Sequence, residues 1–410
     1  MQTDLSALSA APGRPFLVEE LRSIWRGKVD HLVRAWKEFE ARKVELETLP
    51  FKAIVELTQN CNFRCIMCPQ SWDPAFSRYH PEYNMPMETF AKIADELFPK
   101  AIFIDLRGFG ETTILPHWPE VVDYLAKFPF IEWHLVTNLS LPRDETWQKM
   151  IQLGFTLGFS CDAGSAEPFE RIRRRSRFDT IVHNLEVVSD AIRRENRGLL
   201  YFISTIQKSN IQELRPIVEL AARHEVHEVQ FKIVQPGEGV ELLSEVARDV
   251  IQRHINECLD AAIALDMRVT FNDWTFTRDV DPAKVARAAS VRKRRTEYPF
   301  PNKPSFDPTY FSDLESGGEG VMSRIVDSHR VLANQRCFKP FSFTYINYKA
   351  QMGTCNHMMY PDMLVMGDLS RQTVAEVWNS PAYRDFRRQL VESSPQDPRC
   401  QWCFKHRMDD

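Results

Sequence analysis

The chain has 410 residues, 43% hydrophobic and 26% charged, enough for one large core with appendages. Its 52 basic and 56 acidic side chains leave a formal charge of −4, so no broad cationic surface for nucleic acid or anionic lipid is expected. No run approaches the roughly 18 apolar residues of a membrane span, and no basic-then-apolar leader opens the chain. The expected location is the cytoplasm, where nine cysteines are thiols for metal or catalysis rather than disulfides.

Residues 1–50 predict a helical arm. Val18, Leu21, Trp25, Val29, Leu32, Trp36 and Phe39 recur every three or four positions between charges of both signs, as in a helix packing one face on a larger body. Across 51–273, six short apolar or β-branched runs (53–57, 102–106, 133–136, 156–160, 200–206 and 228–234) alternate with segments of helical period. That alternation predicts a parallel sheet, and six units are too few for a closed eight-fold barrel. The expected fold is α/β, a partial (β/α)6 barrel with its chemistry at the carboxyl ends of the strands. In the sixth run Val229, Phe231 and Ile233 alternate with Gln230 and Lys232, so the two polar residues are expected to look inward and are candidates for touching substrate. Residues 274–336 break the pattern with Arg292-Lys293-Arg294-Arg295, then Pro299, Pro301, Pro304 and Pro308, then Gly317, Gly318 and Gly320, and are expected to form a connector or lid. From 337 to 410 comes a small cysteine-bearing region, helical around 374–390, whose core is thin enough to call for bound metal.

The first strand runs into Thr58-Gln59-Asn60-Cys61-Asn62-Phe63-Arg64-Cys65-Ile66-Met67-Cys68-Pro69, which puts three cysteines in one strand-to-helix loop. A structural zinc would want a fourth ligand, which distant residues could supply; a cubane on three cysteines keeps one iron open. Cys337, Cys355, Cys400 and Cys403 form a second, four-ligand set that suits zinc and a fully ligated cubane equally well. Cys161 and Cys258 read as core residues.

The Cys-x3-Cys-x2-Cys loop resembles the signature of the radical S-adenosylmethionine superfamily. That resemblance implies a [4Fe-4S] cluster on Cys61, Cys65 and Cys68 whose open iron binds S-adenosylmethionine, cleaved by an electron to a 5′-deoxyadenosyl radical. It also implies further cofactor contacts. Gly110 and Glu111 match the Gly-Gly-Glu element that receives the cofactor's amino group, with Phe109 in place of its first glycine. Ser160 and Asp162 match its Ser-x-Asp, Arg173 the arginine that pairs with the cofactor carboxylate, and Asn138 the end of the third strand, with Leu139 where glycine is usual. Met67 would pack on the adenine. Gly353-Thr354-Cys355, Gly367-Asp368-Leu369 and Val377-Trp378-Asn379 resemble the auxiliary-cluster region of the SPASM and twitch subfamilies, in the single four-cysteine version. The implied cofactors are two [4Fe-4S] clusters and S-adenosyl-L-methionine, with a donor such as flavodoxin or ferredoxin as electron source.

From the four-cysteine version the expected reaction is hydrogen abstraction from a small polar substrate, a carbohydrate, aminocyclitol or nucleoside, ending in dehydrogenation or epimerisation in secondary metabolism. One alternative is a peptide maturase that modifies or cross-links a precursor peptide. Another is a non-catalytic zinc or cluster protein. No single catalytic side chain stands out.

Overall fold

The computed structural model describes residues 16–73, 80–224, 226–237, 240–272, 274–291, 337–358 and 362–407. The Arg292–Arg295 run and the prolines and glycines after it lie outside these residues.

Seven parallel strands, β1 (Lys52–Val55), β2 (Phe103–Asp105), β3 (Glu132–Thr137), β4 (Thr156–Ser160), β5 (Leu199–Ile206), β6 (Glu228–Ile233) and β7 (Val269–Phe271), lie side by side in chain order. The first six are the runs expected from sequence; β7 is only three residues long and follows them. In β3 and β5 every second residue is buried: Trp133, Leu135 and Thr137 in one, Leu200, Phe202, Ser204 and Ile206 in the other. These face the helical layer. Their half-buried neighbours, His134 in β3 and Tyr201, Ile203 and Thr205 in β5, line the concave inner wall. Helices pack on the outer face because their apolar stripes match it, for example Phe178, Ile181, Leu185 and Val188 of the helix Phe178–Glu195.

The sheet continues past its first strand. Strand β8 (Phe343–Ile346) pairs in parallel with β1 through Lys52↔Phe343 and Ile54↔Tyr345, and β9 (Gln351–Gly353) and β10 (Val365–Asp368) follow antiparallel. The ten-stranded order is β10-β9-β8-β1-β2-β3-β4-β5-β6-β7. Met352, Leu369, Val374, Val377 and Trp378 join the same apolar core as the barrel, which is why the carboxyl-terminal region looks thin when read by itself.

Helix α1 (Val18–Glu40) buries Leu21, Trp25, Val29, Leu32, Trp36 and Phe39 against this body. Each such side chain contributes about 1.5–3 kcal/mol by leaving water. Trp36 meets Phe338 edge-on at 5.2 Å between ring centres, and Phe39 meets Phe341 at 5.1 Å. Buried Lys28 donates to the carbonyls of Phe98 and Ala101, and desolvation lowers its pKa to about 7. Part of the stretch expected to be a connector is helical: Pro282–Ser290 is capped by Asp281 and packs beside β7. Among the described residues no helix is long and apolar enough to cross a membrane.

Candidate active site and auxiliary thiol cluster

The loop after β1 is tied down from several sides before its cysteines begin. Asn60 donates to the carbonyl of His80 at 2.8 Å and to Asn84 Oδ1 at 2.9 Å, and Gln70 donates to the Gln59 carbonyl at 2.6 Å. Gly110 is glycine for a steric reason: a Cβ there would sit 2.7 Å from the Gln59 carbonyl carbon and against the carbonyl oxygens of Thr58 and Asn60. The Glu111 amide closes the contact by donating to the Asn60 carbonyl at 2.8 Å. Backbone from the ends of β1 and β2 thus touches directly beneath the cysteine loop.

Cys65 is buried, while Cys61 and Cys68 are partly exposed. Desolvation raises the Cys65 thiol to about 12, against the charge of Arg173, and raises Cys61 and Cys68 as well. Thiols held this way ionise only when a cation takes the charge. Cys65 and Cys68 both lie close enough to Cys61 to act on its thiol, and three thiols gathered on one loop suit a cubane in which each thiolate takes a different iron.

Glu111 is buried and accepts from Thr113 Oγ1 (2.7 Å), Thr137 Oγ1 (2.8 Å) and the Asn138 amide (2.7 Å). Desolvation raises its carboxyl despite these donors, and its charge reaches Cys61. Among the described residues only one donor meets Oε2, so that oxygen keeps a lone pair for an ammonium group. Asn138 donates to Asn62 Oδ1 at 3.0 Å and so clips the end of β3 to the cysteine loop. Leu139 takes the left-handed φ of +53° that the usual glycine would adopt freely.

Asp162 and Arg173 face each other rather than open space. Arg173 Nη2 lies 2.7 Å from Asp162 Oδ2, its Nη1 donates to Cys65 Sγ at 3.6 Å, and the Thr205 amide donates to Asp162 Oδ1 at 2.7 Å. The pair braces Cys65. Arg173 Nε is buried with no partner among the described residues, so the guanidinium keeps a free donor there. Ser160, at the end of β4, and Met67 are both half-buried. Gln230 and Lys232 stand on the face of β6 opposite buried Val229 and Phe231.

Two features of the inner wall escaped the sequence reading. Asp105 Oδ2 lies 2.9 Å from His134 Nδ1, and His134 Nε2 hydrogen-bonds Tyr201 Oη at 2.7 Å, across β4. Gly158 makes the crossing possible, since a Cβ there would lie 2.6 Å from that hydroxyl. The alternation of Glu132, His134 and Val136 was the available signal. The second is Glu56, just past β1, buried and bonded by Tyr345 Oη (2.9 Å) and the Phe109 amide (2.7 Å). Desolvation raises it to about 7.

Glu56 predicts a pH effect. The folded chain keeps the proton that the unfolded chain releases near pH 4.5, so stability falls as pH rises from about 4.5 to about 7, by about 3 kcal/mol in all. Glu56→Gln should flatten this slope in denaturant melts taken at pH 5 and pH 8; an unchanged slope would show that Glu56 ionises normally.

The second thiol set also assembles. Cys337, Cys355 and Cys400 pack around Met358, Phe386 and Leu390. Desolvation and the neighbouring thiols raise Cys337 and Cys400 to about 12, with Cys403 contributing to both. Residues separated by 17, 44 and 2 positions therefore converge on one place. Both sets fit iron–sulfur clusters.

A family profile described as the radical SAM superfamily matches residues 55–221, and one described as an iron–sulfur cluster-binding domain, SPASM, matches 337–404. The chain thus carries a radical SAM domain with a SPASM domain carboxyl-terminal to it. The cofactors of this pair of domains are S-adenosylmethionine and two [4Fe-4S] clusters. It is 28% identical over 147 residues to the antilisterial bacteriocin subtilosin biosynthesis protein AlbA of Bacillus subtilis (strain 168), covering 35% of this chain and 31% of that one. It is 24% identical over 222 residues to the mycofactocin maturase MftC of Mycolicibacterium smegmatis, covering 54% of each. The matches thus span about half or less of these curated relatives. The structure of Streptococcus suis SuiB bound to precursor peptide SuiA superposes with a TM-score of 0.53 at 11% identity, over 90% of this chain and 79% of that one, a likeness of fold.

These relatives overturn the expected small-molecule substrate and the carbohydrate, aminocyclitol or nucleoside chemistry built on it: they are named for a bacteriocin's biosynthesis and as a maturase, and the SuiB structure holds a precursor peptide. The inference failed because the number of auxiliary cysteines sets how many clusters are held, not what is oxidised.

Proposed function

We propose that this chain is a radical SAM peptide maturase that oxidises or cross-links a precursor peptide. The similarity to AlbA and MftC carries the reading, and the two thiol sets held by one chain support it. In this reading Cys61, Cys65 and Cys68 hold the cofactor-binding cluster, and Cys337, Cys355, Cys400 and Cys403 hold the auxiliary one. When bound, cluster and cofactor supply hydrogen abstraction from unactivated carbon.

The chain's own residues orient that chemistry. Glu111 offers Oε2 to the cofactor's ammonium, and Gly110 lets its backbone close on the cysteine loop beside it. Asn138 and Ser160 flank it from the ends of β3 and β4, Met67 lies beside the loop for adenine, and Arg173, braced by Asp162, offers its remaining donor to the carboxylate. Cys161 and Cys258 are both fully buried, so neither thiol can return hydrogen to a substrate carbon, which favours net oxidation over epimerisation.

The test is anaerobic turnover with reductant and S-adenosylmethionine, offering short peptides encoded beside the gene and following peptide mass. Loss of two hydrogens, with or without a new cross-link, is expected. Formation of 5′-deoxyadenosine with every peptide left unchanged would count against the reading.

A further inference from the structure

The mouth of the barrel carries two cations, one held along one edge by a carboxylate and one with no counter-ion among the described residues. Arg107 lies two residues beyond β2. Its Nε sits 2.8 Å from Asp105 Oδ2, and its amide donates to Asp105 Oδ1 at 3.2 Å, which holds the guanidinium by one edge. Its terminal nitrogens have no partner among the described residues, and its side chain is 40% exposed. On the other side of the mouth Lys232, aligned with Thr205 of β5, and Gln230, aligned with Ile203, look inward from β6. Both are half-buried, and neither has a partner among the described residues. Burial, and after it the charge of Arg107, lowers the pKa of Lys232, so the two cations sense each other.

The acids of the inner wall are already engaged. Asp105 is held by Arg107 and His134, Glu56 by Tyr345 and the Phe109 amide, Glu111 by Thr113, Thr137 and Asn138, and Asp162 by Arg173. Glu228, lower on β6, accepts from Thr270 Oγ1 at 2.6 Å. A half-buried ammonium without a counter-ion is unfavourable, and an anion that replaces its lost hydration would relieve this. A guanidinium with a free end, an ammonium and an amide suit a planar two-oxygen acceptor.

We propose that Arg107, Lys232 and Gln230 form a carboxylate-binding subsite that anchors the substrate by an acidic side chain or a terminal carboxylate. The proposal rests on the peptide reading above for its substrate class. Asp105 acts as the positioning residue, and its contact with His134 keeps it from swinging across to neutralise Lys232.

The test uses the full-length, cluster-loaded protein and calorimetry with four probes: N-acetylglutamate α-amide, its glutamine counterpart, N-acetyl-dialanine with a free carboxylate, and the same dipeptide amidated. At least one acid probe should bind about tenfold tighter than its neutral partner. Which acid binds better distinguishes a side chain from a chain end. Lys232→Met and Arg107→Met should each remove that preference, and Lys232→Arg should restore much of it, which a misfolded variant could not show. S-adenosylmethionine affinity should stay within about twofold.

Equal binding of acid and amide overturns the subsite. So does a parallel loss of cofactor affinity in both Met variants, which would give the pair to the cofactor's own carboxylate. Acid binding without any peptide modification would sink the maturase reading and leave the subsite standing. Undiminished kcat/KM on peptides whose carboxylates are all amidated would do the reverse.

Discussion

Alanine at Cys61, Cys65 and Cys68 together is expected to lower bound iron from about eight atoms to about four and to abolish 5′-deoxyadenosine formation. The three thiols sit in a loop whose backbone is held by Asn60, Gln70 and the Gly110 contact, none of which passes through sulfur. The loop should therefore keep its course, and the thermal midpoint should fall only by the share the cluster contributes. Cys400→Ala should give the opposite pattern: cofactor cleavage persists, uncoupled from peptide product, because that thiol stands with Cys337 and Cys355 around Met358, in the second thiol set. Chromatography of the nucleoside product and iron analysis on the same samples separate the outcomes. Cleavage surviving in the triple variant would refute the assignment of the first cluster.

The second large effect concerns stability. Arg387 is completely buried and donates to the Pro340 carbonyl at 2.8 Å and the Val44 carbonyl at 3.0 Å. Its guanidinium lies 4.3 Å from the Trp378 ring centre and 4.6 Å from that of Tyr383. Desolvation lowers its pKa to about 10, and stacking and charge-assisted hydrogen bonds must offset that cost. Arg387→Met should strand two carbonyls and lose both ring contacts, a destabilisation of about 4 kcal/mol. Arg387→Lys should recover little, since an ammonium cannot lie flat between the rings and serve both carbonyls. Hydrogen exchange should quicken at Phe51, whose amide bonds the Ser342 carbonyl, and along β8. Unchanged exchange there would show that the arm's end and the carboxyl-terminal helices do not depend on this residue.

What could be read in the sequence was local. Strands β1 to β6 announced themselves because each is a short apolar run between turns, and the inward or outward facing of Gln230 and Val229 follows from a period of two. The cysteine spacings, Glu111 and Arg173 stood out because each lies at a strand end or within a motif. Strand β7 was missed because Val269-Thr270-Phe271 is too short to show a period. The pairing of β1 with β8 leaves no local trace, since Lys52 and Phe343 meet only when the sheet forms. The partnership of Asp162 with Arg173 was hidden for the same reason: both residues matched a cofactor motif, and only their 2.7 Å separation shows that they hold each other. Substrate class was misjudged because it was taken from the number of auxiliary cysteines, which sets how many clusters are held and leaves the substrate open.

The parallel pairing of β1 with β8 also constrains the order of assembly. During synthesis β2 can dock on one edge of β1 early, yet its other edge waits for residues 343–346, nearly 300 positions later. Contacts of such long range form slowly, and an open strand edge invites pairing with other chains in the meantime. Helix α1, made before either strand, buries Trp36 and Phe39 against Phe338 and Phe341, just ahead of β8. Until those residues leave the ribosome its apolar face has no complete seat. Nascent chains stalled before residue 343 should therefore be protease-sensitive and bound by chaperones, and release past β10 should close the open edge of β1 and seat α1 in one cooperative step.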